Sequence, residues 1–302
     1  MNFNVGEVLS RAGQITWRYK NLWLAGIAVS LVGLIPALIS LGANPAFSSF
    51  SDPAEVNREL PRIMLANGFM FLFSILSIPI YVIGITVPSL GTLQIEKGNE
   101  TFRFGELLKG SLPYFWRILG IFLIVWVGVF LVLGVVMACI LGVSVLTLGI
   151  GALCAFPIFI LFIPIAILVY AIMEQGVSAV IVDNLGMTAA LQRAWELVKK
   201  NFGVMALMSV IIYLGATLIS MVISLPMLVP MYSFMFNMGS EPDMQTLESL
   251  SRNMTLWMLA IAPLLALFQG LMLTFMQAAW TLTYMRLTAP QANIPVMLEA
   301  GA

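Results

Sequence analysis

Histidine is absent from this chain of 302 residues, and only 9% of the residues carry a charge. Histidine is the commonest metal ligand and the commonest acid–base group near neutral pH. Its absence does not forbid catalysis, but it removes the usual proton carrier of hydrolytic chemistry. A soluble domain of this length would have about a quarter of its residues charged, so most of this surface must face something other than water. Lys plus Arg and Asp plus Glu balance at 14 each, which leaves no global basic field to attract nucleic acid. Cysteine is nearly missing too. Cys139 and Cys154 both lie inside apolar runs, where the expected fate is burial as two small hydrophobes, not a disulfide.

What is abundant is apolar sequence. Hydrophobic residues make up 61% of the chain, and they come in runs of twenty or more, long enough to cross a bilayer core as helix. The expectation is an all-α integral membrane protein, a single membrane domain over residues 1–302. Six spans are expected, at about 22–42, 64–92, 118–141, 148–173, 204–235 and 255–285. The third and fourth form a hairpin across Gly142 to Thr147. An amphipathic stretch precedes the first span, and no convincing cleavage site follows. The first span therefore reads as retained, not as a cleaved signal.

Lysine and arginine set the orientation. Arg11, Arg18, Lys20, Lys97, Arg103, Lys109, Arg117, Arg193, Lys199, Lys200 and Arg286 fall on the side of the N-terminus; Arg58, Arg62 and Arg252 fall on the other. The positive-inside rule then places both termini in the cytoplasm.

Between the fourth and fifth spans the chain turns polar: "DNLGMTAALQRAWELVKKNF", Asp183 to Phe202. As helix, Met187, Ala190, Leu191, Ala194, Trp195 and Val198 make one apolar face. Thr188, Gln192, Arg193, Glu196, Lys199 and Lys200 make the other. The two lysines fall in the last turn, where the helix dipole favours cations. Such a helix is too polar to span and is expected to lie flat among headgroups, tryptophan down and lysines up. The template recurs without gaps, 83 and 182 residues earlier, as Phe104, Leu107, Leu108, Ser111, Leu112, Phe115 and as Val5, Val8, Leu9, Ala12, Gly13, Thr16. Each copy carries a tryptophan and a basic ending and precedes an odd-numbered span. Helical geometry alone can produce such spacing, but register, ending and topology agree together. They point to a three-fold repeat of one cytoplasmic interfacial helix plus a two-span hairpin, in units 1–92, 100–173 and 184–285. Pro113 counts against the second copy, because an interior proline kinks or ends a helix.

The stretch "VDNLGMTAALQRAWELVKKNFGV" resembles the signature of a bacterial polytopic membrane family. That family includes the membrane domain ahead of the catalytic domain in some glycerophosphodiester phosphodiesterases, and stand-alone relatives of unassigned role. The likeness lies in Asp183, Asn184 and Gly186, then Ala190, Leu191, Arg193, Trp195, Leu197, Lys199 and Phe202. Elsewhere it rests on span number and spacing. The phosphodiesterase barrel needs a soluble domain with histidines and metal-binding carboxylates, and none lies within these residues. The resemblance thus implies a fold and a bacterial inner-membrane location, not hydrolytic activity.

Few residues within the expected spans could carry chemistry. No Asp, Glu, Lys or Arg falls between Ile118 and Met173, in 204–235 or in 255–285, which argues against a proton-driven pump. The sixth span carries Gln269 and a stripe of Gly270, Thr274, Gln277 and Thr281. This stripe reads as a path for a neutral or lipidic solute, lined by Gln269, Thr274 and Gln277, or as interhelical glue of small and amide residues. Met227, Met231 and Met235 share a face that could hold a soft ion, yet methionine is a common gap filler and no other ligand type completes a site. Proline falls in five of the six spans, which broken transporter helices and ordinary membrane helices share.

The expected function is that of a non-catalytic membrane protein that organises lipids or partner proteins at the cytoplasmic face. Arg18, Lys20, Arg117, Arg193, Lys199 and Lys200 would meet anionic headgroups or serve only as topology signals. The alternative is a transporter or flippase-like path. A lipid-modifying enzyme is disfavoured by the lack of histidine and of convergent carboxylates, and no cofactor is called for.

Overall fold

The computed structural model describes residues 3–43, 53–99, 101–147, 149, 155–228, 232 and 244–289. The described residues are helical, joined by short turns, with no strand among them. In chain order the helices are α1 (Val5–Arg18), α2 (Trp23–Ala43), α3 (Pro53–Glu96), α4 (Phe104–Leu146), α5 (Ala155–Val182), α6 (Met187–Lys200), α7 (Phe202–Ser224) and α8 (Met244–Thr288). Among the described residues, five segments are long and apolar enough to cross a membrane: Leu60–Glu96, Phe104–Leu146, Phe162–Val182, Phe202–Ser224 and Leu256–Thr288. The number reaches six if the bent pair Val5–Arg18 and Lys20–Pro36 supplies one more.

The first helix is set by its ends. The Asn4 side chain caps it by accepting from the Glu7 backbone N–H at 3.3 Å, and Arg18 occupies the last turn. Acid first and base last both suit the helix dipole. At Tyr19 the chain leaves α1, makes a 3-10 turn over Lys20–Leu22, and bends by 86° into α2. The Trp23 indole N–H donates to the Thr16 carbonyl at 2.8 Å, satisfying one of the carbonyls that a helix end leaves open.

The starts of α1, α4 and α6, at residues 5, 104 and 187, keep the register read from the sequence. So do the buried positions. Val8, Ala12, Ile15 and Thr16 in α1 correspond one by one to Ala190, Ala194, Leu197 and Val198 in α6 (8 to 190, 12 to 194, 15 to 197, 16 to 198). Leu107 and Ser111 hold the first two of these positions in α4.

Contrary to the sequence expectation, the second amphipathic segment is not a separate helix, because α4 runs unbroken through Pro113 into the apolar stretch. Pro113 is exposed, so the carbonyl it frees is not trapped in the core, and the usual cost of an interior proline falls.

The ends of three long helices form the centre of the packed region. α3, α5 and α8 each touch the other two. The amphipathic segments ring them: α1 packs on α8, the start of α4 on the end of α3, and α6 on α5. The core is concentrated at this end, for example Val82 to Ile95, Ala171 to Ile181 and Ala278 to Tyr284. The opposite parts of α3 and α4 expose large apolar side chains such as Phe69, Phe71, Phe130 and Leu131. α2 is drawn in by small residues: a Cβ built on Gly26 would stand 2.6 Å from the Gly270 Cα of α8.

Candidate functional site

The three central helices meet on polar side chains. Ser89 of α3 donates its hydroxyl toward the Gln277 side-chain carbonyl of α8 at 3.0 Å, and also lies 3.0 Å from the Ile85 carbonyl. The Gln277 amide donates to the Glu174 carboxylate of α5 at 3.0 Å. All three side chains are buried. Tyr170 stands beside Glu174 and packs edge-on against Trp280, ring centroids 6.0 Å apart. One turn on, the Gln175 amide reaches the Trp280 carbonyl at 3.5 Å. In the same layer Gln175 Oε1 and Thr281 Oγ1 are buried without a hydrogen-bond partner. A carboxyl, two amides and a hydroxyl thus converge where three helices touch. Groups of this kind fix the register of helices in a membrane.

Sequence reading missed Glu174 for a physical reason. The expected fourth span stops at Met173, the residue before the first charge, whereas the helix continues to Val182. The signal available was the short "EQGVS" run, small and polar without a helix breaker, which allows close packing beyond the apolar stretch.

A second polar tier ties the ring to the centre. Arg11 of α1 pairs with Glu96 at the end of α3 at 2.8 Å. Arg286 near the end of α8 reaches Glu7 of α1 at 3.8 Å. Arg117 of α4 donates to the Asn184 side-chain oxygen at 2.7 Å and to its backbone carbonyl at 3.3 Å. Asn184 turns the chain from α5 into α6 with a left-handed φ of 54°, a conformation asparagine tolerates better than most residues. The Tyr284 hydroxyl donates to Asp183, and Arg193 of α6 lies next to it.

The headgroup candidates lie in different settings. Arg117 and Arg193 are engaged with protein partners at the helix ends. Arg18, its guanidinium over the Tyr19 ring, and Lys20 lie at the α1–α2 elbow, and Lys199 and Lys200 lie exposed in the last turn of α6. The solute-path residues divide as well. Gln269 is exposed, whereas Thr274 is buried and donates to the Gly270 carbonyl at 2.8 Å. Gln277 belongs to the junction with Glu174. Of the methionine trio, Met231 and Met235 lie outside the described residues, as does Cys154; Cys139 is an exposed free thiol.

The apolar face expected for α6 splits in two. Ala190, Ala194 and Val198 face the protein, joined by Leu197 from outside that expected face, while Trp195 is 56% exposed. Trp17 and Trp116 are exposed likewise, at 68% and 75%. Each amphipathic segment thus has a protein-facing stripe and, beside it, an outward apolar edge that carries a tryptophan.

No protein-family model matches this chain, and no match is found among curated proteins or solved structures.

Proposed function

We propose that the protein is a non-catalytic integral membrane protein that gathers anionic lipids, and protein partners with them, at the cytoplasmic leaflet. Its working surface is the ring formed by α1, the start of α4, and α6. The observation that carries this reading is the outward tryptophan edge of each segment, Trp17, Trp116 and Trp195, lying beside exposed basic residues. Tryptophan favours the membrane–water interface, and basic residues there attract anionic lipids by about 1 kcal/mol each. The 86° bend between α1 and α2 suits a helix along the interface joined to one that crosses. The shared register of buried positions supports a unit of interfacial helix plus two-span hairpin used three times, with six crossings and both termini in the cytoplasm. The likeness of the Asp183–Phe202 stretch to the phosphodiesterase-associated membrane family fits this unit and adds no activity.

The test is the full-length protein in phosphatidylcholine vesicles doped with phosphatidylglycerol. Reversing Arg18, Lys20, Lys199 and Lys200 to glutamate should abolish phosphatidylglycerol enrichment around the protein while the helical content persists. Unchanged enrichment in the folded variant refutes the reading.

A further inference from the structure

We propose that a cleft between the α1–α2 elbow and the start of α4 binds the phosphate of an anionic lipid headgroup. This rests on the lipid-gathering reading above and narrows it to one site. The cleft has a volume of about 690 Å³, within the range of sites that hold small ligands. Arg18, Lys20 and Arg103 line it, contributed by the end of α1, the 3-10 turn, and the residue before α4. Thr101 adds a hydroxyl to the same wall. The acid in the lining is Glu106, whose carboxylate accepts from the Arg103 backbone N–H at 3.3 Å and so caps α4. Among the described lining residues three are cations and one is an acid.

The backbones that carry the three cations are brought together by contacts that need no ligand. Tyr19 and Phe102 stack with ring centroids 5.7 Å apart and planes 28° from parallel, joining elbow to loop. The Arg18 guanidinium lies over the Tyr19 ring, 5.7 Å from its centroid. The Trp23–Thr16 bond fixes the elbow itself. Guanidinium and ammonium groups lining one cleft suit a phosphate, whose oxygens match the guanidinium fork.

The surroundings point to a lipid phosphate over a free one. Arg18 and Tyr19 also border a second cleft, about 600 Å³, whose lining mixes Ile15 and Trp17 with Arg11 and Gln14. Leu24 and Leu31 are exposed apolar side chains on α2. A headgroup in the basic cleft would leave its chains against this surface, whereas a free phosphate has no use for it.

The experiment is native mass spectrometry of the full-length protein in detergent, titrated with phosphatidic acid, with diacylglycerol of the same chains, and with inorganic phosphate. Phosphatidic acid is expected to be retained, diacylglycerol is not, and inorganic phosphate should displace the lipid poorly. Arg103→Glu and the milder Arg103→Gln should each weaken phosphatidic acid binding, the first by about tenfold. Lys199→Glu, on the far segment α6, removes a cation of the wider ring and should weaken it less than Arg103→Glu does. Thermal melting of each variant confirms that it is folded. Each of these results overturns the proposal: equal binding by the Arg103 variants, equal retention of diacylglycerol, or full displacement by inorganic phosphate. If Arg103→Glu and Lys199→Glu weaken binding equally, the cleft is refuted while the general lipid-gathering role stands.

Discussion

The Glu174 carboxylate and the Gln277 side-chain amide lie 3.0 Å apart, both buried, and join α5 to α8 at the point where α3 also arrives through Ser89. Removing one partner leaves the other buried without its bond, which costs more than the bond contributes. Gln277→Leu should lower stability by roughly 1–3 kcal/mol, and Glu174→Leu should do the same. The double variant should cost less than the sum of the two. Thermal unfolding in detergent, followed by tryptophan fluorescence, measures all three. Additive losses would show that the pair is not coupled.

The close approach of α2 and α8 sets up a contrast between two glycines of one helix. A Cβ on Gly26 meets the Gly270 backbone at 2.6 Å, whereas one on Gly33 meets nothing within 4 Å. Gly26→Val should destabilise by about 1–3 kcal/mol through overpacking. Gly33→Val should be close to neutral. The same melting assay distinguishes them, and equal effects would mean that α2 does not pack as described.

Tryptophans provide a test of which faces are buried. Trp280 is fully buried at the central junction, and Trp116 is 75% exposed. Trp280→Ala should cost about 3–5 kcal/mol, while Trp116→Ala should stay within about 0.5 kcal/mol. A large loss from Trp116→Ala would place that edge against protein.

The ion pairs should contribute little. Arg11 and Glu96 are 2.8 Å apart, but the arginine side chain is 43% exposed. A double-mutant cycle on this pair should give a coupling below about 1 kcal/mol. For Glu7 and Arg286, at 3.8 Å and both substantially exposed, no measurable coupling is expected.

Much of the helical layout was legible because it depends on local spacing. Helix starts at residues 5, 104 and 187 follow from periodicity and charged ends, which neighbouring residues encode. The side of each amphipathic helix that meets protein was not legible. Apolar residues suit lipid and protein equally, so Trp195 and Ala194 looked alike in sequence though one faces outward and the other is buried. The Gly26–Gly270 approach and the Ser89–Gln277–Glu174 chain join residues far apart in sequence, and no local pattern announces them. Glu174 was hidden by a rule of hydropathy reading, that a charge marks the end of a span. Here the helix carries its carboxyl past the apolar stretch into a protein-lined layer. Arg103 was counted toward orientation, but only the stacking of Phe102 on Tyr19 brings it to the elbow.

The central claim is that α1, the start of α4, and α6 lie at one leaflet. Single cysteines at Gln14, Lys109 and Lys199, in a chain with Cys139 and Cys154 changed to serine, can be probed with a membrane-impermeant thiol reagent. Labelling is compared in right-side-out and inside-out vesicles. All three positions should label only in inside-out vesicles. If any one of them labels from the opposite side, the ring of interfacial helices does not exist.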